Sequence, residues 1–95
     1  MSQNIDLSLL KKRKKYSIEY VNVEEKIDNE FVKRLRGNLN MTQAVFSSVL
    51  GLKKRTIEKW EQGINPVKGG SARLLYLLDL YPDMANDLYK VKKNE

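Results

Sequence analysis

Between Thr42 and Gly63 two short amphipathic stretches meet at a single glycine, Gly51, and this juncture restricts the fold more than any other feature of the chain. Thr42 suits the N-cap of the first stretch, which turns Phe46, Ser47 and Leu50 inward before Gly51 supplies a left-handed stop. That helix is only about two turns long. The second stretch runs from about Lys53 to Gln62, puts Ile57 and Trp60 on one face, and reaches its own stop at Gly63. Two short helices joined by a tight glycine turn form the unit that lays its second helix in the major groove of DNA. The physical requirements are met in turn: Gly51 tolerates positive φ, the small Ser47 lets the helices approach, and Ile57 and Trp60 give the second helix an apolar back. Its outward face is then Lys53, Lys54, Arg55, Thr56, Glu58 and Lys59, groups that reach phosphates or base edges.

The pattern on either side extends this reading. Before residue 27 the chain is polar and basic, with the run Lys11 to Lys15 and one alternation, Tyr16, Ile18 and Tyr20, continued by Val21 and Val23. That alternation predicts a short β-strand over 16–23, which must pair with a partner chain, pair with its own copy in a dimer, or remain mobile. After residue 27 the period becomes helical. Asp28 suits the N-cap of a helix carrying Phe31, Val32 and Leu35, and Asn40 suits its left-handed stop. Beyond Gly63, a loop with Pro66 leads into a helix from Gly70 or Ser71, whose Leu74, Leu75, Leu77, Leu78 and Tyr81 exceed one buried stripe. Pro82 opens a last helix through about Lys90, with Met84, Ala85, Leu88 and Val91 as its apolar side. The expected architecture is all-α: a compact five-helix domain over 28–92, its helix-turn-helix at 42–62, preceded by a basic N-terminal arm over 1–27. The last two helices are expected to supply a homodimer interface whose two-fold axis sets recognition helices about 34 to 36 Å apart on a palindromic operator.

Composition narrows the function. A 95-residue chain buries one modest core, and its net charge of +6 favours an anionic partner, nucleic acid or an acidic protein surface. With no cysteine and no histidine, disulfides, cysteine or histidine zinc sites, thiol nucleophiles and imidazole bases are excluded. Phosphate-loop, nucleotide-fold and metal-ligand motifs are absent as well, so no enzyme, catalytic residue, metal or cofactor is expected. The apolar stretch Ile5, Leu7, Leu9 and Leu10 is too short and broken for a signal peptide, and no segment approaches the roughly 20 apolar residues of a membrane span. A cytoplasmic protein is expected. The Lys11 to Lys15 run reads as a solubilising stretch, a DNA-backbone arm or a contact with a partner protein, with a membrane-surface reading the weakest.

Three segments, MTQAVFSSVLG, TIEKWEQG and GGSARLLYLLDLYPD, resemble the xenobiotic-response-element (Cro and lambda-repressor-like) helix-turn-helix family, in particular its small HigA-type antitoxins. The resemblance covers roughly residues 28 to 90. It implies a lambda-repressor-like fold and a dimer that represses its own promoter and sequesters a small basic RelE/HigB-type mRNA-cleaving toxin. The alternative is a stand-alone phage-type or plasmid-type regulator. Residue by residue, it implies that Gln43 contacts a phosphate or an edge base and that Lys54, Arg55 and Lys59 face the groove. Thr42, Lys53 and Thr56 complete the DNA-contacting set. Arg36 and Glu61 are implied to form a partly buried ion pair with a structural role. The expected toxin-binding residues are those of the strand: Tyr16, Ile18, Tyr20, Val21 and Val23. Three departures from the family pattern stand out: Lys53 replaces the usual serine or threonine N-cap, Val45 and Val49 occupy positions usually polar, and Gly37 loosens the first helix.

Overall fold

The computed structural model describes residues 17–94, so Tyr16 and the Lys11 to Lys15 run lie outside the described residues. Four α-helices form: α1 (Asn29–Asn38), α2 (Gln43–Leu50), α3 (Lys54–Glu61) and α4 (Gly69–Leu80). A 3₁₀ turn at Glu24–Lys26 precedes them, and a 3₁₀ segment at Pro82–Asp87 follows. The cap residues act locally: Asp28 Oδ1 accepts the Phe31 N–H at 2.8 Å, and Thr42 Oγ1 accepts the Val45 N–H at 3.1 Å. Lys53, at the N-cap position of α3, makes no side-chain cap bond.

The first three helices end in the same way. Asn40, Gly51 and Gly63 adopt positive φ, and each closes a Schellman motif. After α1, the Asn40 N–H donates to Gly37 O and the Met41 N–H to Arg36 O. After α2, Gly51 donates to Ser48 O and Leu52 to Ser47 O; after α3, Gly63 donates to Trp60 O and Ile64 to Lys59 O. Met41 and Leu52, the residues after the first two turns, pack against the core, whereas Ile64, after the third, is 61% exposed.

α2 and α3 pack on each other, and α1 lies against both α3 and α4. Phe46, Leu35, Ile57, Leu75, Leu78 and Val32 are the largest side chains fully withdrawn from solvent. Burying side chains of this size contributes roughly 1.5 to 3 kcal/mol each, which holds together helices too short to persist alone. Ser47 is buried at the α2 surface, and its hydroxyl donates to Ala44 O at 2.8 Å, so the close helix approach leaves no polar group unpaired.

Three expectations are corrected. Residues 17–22 form no strand, because a lone extended segment has no ladder partner in one chain. The arm also ends earlier than residue 27: Val23 and Ile27 are core residues flanking the first 3₁₀ turn, which packs on α4. Glu24 Oε1 accepts the Gly69 N–H at 3.1 Å, serving α4 where Lys68 offers no cap, and Arg73 Nη2 donates to Val21 O at 3.0 Å. Finally, the segment after Pro82 is 3₁₀ and stops at Asp87; of its expected apolar side only Ala85 is buried, Met84 and Leu88 are exposed, and Val91 is 90% exposed. On α4, Leu75 and Leu78 go inward, while Leu77, Leu80 and the following Tyr81 face solvent.

The turn at Gly51 yields a clean test, since a Cβ there meets no atom within 4 Å and any penalty comes from φ alone. Gly51→Ala should cost about 1 to 2 kcal/mol, and Gly51→Asn less, because asparagine accepts the left-handed region, as Asn40 does. Urea midpoints with unchanged m-values check this; equal losses for both variants would contradict it.

Candidate nucleic-acid interface

α3 exposes one face because its other face is held in three ways. Ile57 and Trp60 are buried, and Glu61, the last residue of the helix, is a charged group only 4% exposed. Arg36 meets the Glu61 carboxylate side-on: Nε donates to Oε2 at 2.7 Å and Nη2 to Oε1 at 3.0 Å. The remaining guanidinium nitrogen, Nη1, donates to Met41 O at 3.0 Å, within the turn between α1 and α2. Gln43 Nε2 donates to Glu61 Oε1 at 3.1 Å. One carboxylate therefore joins the end of α3 to the last turn of α1 and the first residue of α2.

Burial alone would push the Glu61 carboxyl above its ordinary value of 4.5. The hydrogen bonds from Arg36 and Gln43, with the charges of Arg36 and Lys33, outweigh it and hold the group below that value. The hydrogen bond to Glu61 likewise raises the Arg36 pKa, against the opposing effect of burial. Both groups remain charged at neutral pH, and no buried side-chain polar atom among the described residues lacks a partner.

With Ile57, Trp60 and Glu61 turned inward, helical periodicity leaves Arg55, Glu58, Lys59 and Gln62 on the opposite side. These four and Ile64 line one shallow depression. Lys53, Lys54 and Arg55 are exposed, and Thr56 and Lys59 are half-exposed. Thr42 and Gln43 sit at the start of α2, Thr42 exposed and used as a cap, Gln43 half-buried. Of the expected DNA-contacting residues, Gln43 has an intramolecular partner that the sequence reading did not assign, and its amide orientation is set by Glu61. Ile64, outside the expected contact set, also lines the depression, although a residue after a left-handed glycine is where an apolar side chain ordinarily returns to its helix.

Elsewhere, Ile18, Tyr20 and Val21 are exposed, whereas Val23 is buried and not available to a partner. The exposed Val45, with Ala44, Ser48 and Val49 of α2, faces Leu88 and Tyr89 across an open apolar groove. No group of three or more acidic residues that could hold a metal ion occurs among the described residues, and no helix there is long and apolar enough to cross a membrane.

Residues 32–75 match the helix-turn-helix family, a span from the middle of α1 into α4 that covers the whole of α2 and α3. Over 60 residues, 63% of this chain, the sequence is 33% identical to antitoxin HigA-2 of Vibrio cholerae serotype O1. The chain spans 58% of that relative's length.

The buried pair gives a stability test with a defined pH sense. Arg36→Met strands the Glu61 carboxylate with Gln43 alone and should cost about 3 kcal/mol, the low end for a broken buried pair because the arginine side chain is 25% exposed. Glu61 has a lowered folded pKa, so its contribution is complete above the unfolded value and is lost as pH falls through the folded one. Urea titrations from pH 7 down to 3 should show a shallower acid-side decline in Glu61→Gln than in the wild type. Parallel declines would contradict the assignment.

Proposed function

We propose that this chain is a sequence-specific DNA-binding transcriptional repressor that acts without enzymatic chemistry, and that it serves as the antitoxin of a protein toxin. The observation that carries the DNA-binding part is the rigid mounting of α3. Its inner face is held by Ile57, Trp60 and the Glu61 hub, so the exposed Lys54 and Arg55 and the half-exposed Lys59 project from a helix of fixed roll. Eight residues, about 12 Å of helix, suit a major groove about 12 Å wide. Lys53 and the Thr42 and Gln43 end of α2 lie toward the backbone in this arrangement, and Thr56 completes the contact set. Phosphate contacts from the lysines supply salt-dependent affinity, and base edges read by Arg55 and Lys59 supply specificity.

A homodimer on a palindromic operator is part of the proposal. The large apolar side chains Leu77, Leu80, Tyr81 and Met84, which recur at helical spacing and are all exposed, support it.

The toxin part rests on different observations: the name of the Vibrio cholerae relative, antitoxin HigA-2, and the exposed apolar Ile18, Tyr20 and Val21 upstream of the core. Such a segment can pair with an edge strand of a partner and form there the strand it lacks alone. A small RelE/HigB-type ribonuclease encoded beside this chain is the proposed occupant.

Two experiments separate these parts. Replacing both Arg55 and Lys59 with alanine should abolish operator binding in an electrophoretic shift while leaving the unfolding free energy from urea titration within about 0.5 kcal/mol of wild type, and the wild-type complex should contain two chains per operator. Retained binding would defeat the DNA-binding assignment. Deletion of residues 1–20, which spares the Val21 carbonyl and the buried Val23, should abolish co-purification with the product of the adjacent reading frame and leave DNA binding intact. Co-purification that survives the deletion would place the partner's contacts elsewhere.

A further inference from the structure

Two residues beside the cations of α3 cannot bind a phosphate through their side chains: Glu58 on its outer face and Ile64 just past its C-terminal turn, set in one depression with Arg55, Lys59 and Gln62. Each has an ordinary explanation that the structure removes. A residue in the position of Ile64 ordinarily covers its own helix end or the core. Met41 and Leu52 do so after α1 and α2, yet Ile64 is left 61% exposed while its backbone is anchored to Lys59 O at 2.9 Å. A glutamate on a basic helix ordinarily pairs with a lysine or arginine one turn away. Lys54 and Arg55 stand four and three residues before Glu58, but none of the ion pairs among the described residues uses it. On a surface that attracts phosphates, an unpaired carboxylate opposes every non-specific contact. It is useful there only against a donor that the phosphate backbone lacks.

We propose that Glu58 and Ile64 discriminate bases in the bound operator, Glu58 by accepting from a cytosine N4 amino group and Ile64 by covering a thymine C5 methyl. Both features lie on the major-groove edge, where carboxylates suit the cytosine amino group and apolar side chains suit the thymine methyl. The neighbouring cations provide the attraction, and these two residues withhold it from wrong sequences. The same depression thus combines affinity and rejection, with Glu58 raising the cost of any site that presents an acceptor in place of the cytosine donor. This assignment rests on the DNA-binding reading of α3.

The test uses the full chain and selection from random duplexes, followed by titration on the selected site. Glu58→Gln should move the preference at one base pair from cytosine to adenine, because glutamine pairs with adenine N6 and N7, and should tighten binding to unrelated DNA. Replacing one thymine of the selected site by deoxyuridine, which removes only the methyl, should weaken wild-type binding by roughly tenfold, within the range for a single altered pair. Ile64→Ala should bind the thymine and uracil duplexes equally. A uniform gain in affinity for Glu58→Gln with an unchanged selected site would overturn the role of Glu58. Equal sensitivity to uracil in wild type and Ile64→Ala would overturn that of Ile64. If the wild type selects no sequence at all, the DNA-binding reading itself fails, a result distinct from either.

Discussion

Glu61 occupies the last turn of the helix whose outer face is the surface of interest, and its carboxylate is out of water. Three donors converge on it, two from Arg36 and one from Gln43, and a further nitrogen of Arg36 reaches the Met41 carbonyl. Taking two charges from water is expensive, and such a pair often stabilises a fold no better than hydrophobic residues of similar size. What it supplies is direction. Apolar contacts at Ile57 and Trp60 are non-directional and tolerate a small rotation of α3 about its axis. The side-on geometry at Glu61 tolerates much less, and the roll it selects decides that Arg55, Glu58 and Lys59 face outward together.

The second constraint is the repeated left-handed closure. Asn40, Gly51 and Gly63 each close a helix within two residues of its end and satisfy two carbonyls that would otherwise be unpaired. Such short closures leave little slack, so helices of eight residues hold their mutual orientation without long loops. The first two closures also return an apolar residue to the core, which couples the turn to the packing. The third does not. The connection after α3 is the place where this repeated device is turned outward, beside the cations of the helix.

Local rules were legible in the sequence. The caps at Asp28 and Thr42 and the stops at Asn40, Gly51 and Gly63 all depend on residues within a turn of one another, and each forms as read. The Arg36 and Glu61 pair was accessible only through family resemblance, since nothing in spacing alone joins residues 25 apart. Features set by tertiary neighbours were not legible. Glu24 serves the N-terminus of α4 across 45 residues, and Val23 and Ile27 are buried because that contact draws the first 3₁₀ turn against α4. Pro82 and the apolar spacing after it suggested a full α-helix. Only Ala85 finds core to occupy, so no packing repays continuation past Asp87. The alternation over 16–23 recorded a capacity for pairing, which a single chain cannot express.

The anchoring of Val21 and Glu24 also governs how the two halves of the proposed function relate. The chain enters the folded body at Val21, where Arg73 holds the carbonyl, and is committed to the core by Val23. Upstream of that point, Ile18 and Tyr20 have exposed side chains outside the buried core cluster. A partner engaging them gains its own contacts without first breaking those of the domain, so the cost of ordering falls on a few residues and not on the fold. A partner that reached as far as Val23 would have to displace a buried side chain and release the Glu24 contact at α4. The length of arm a partner uses therefore decides whether its binding is silent to the helical domain or coupled to it, and the boundary lies between Val21 and Val23.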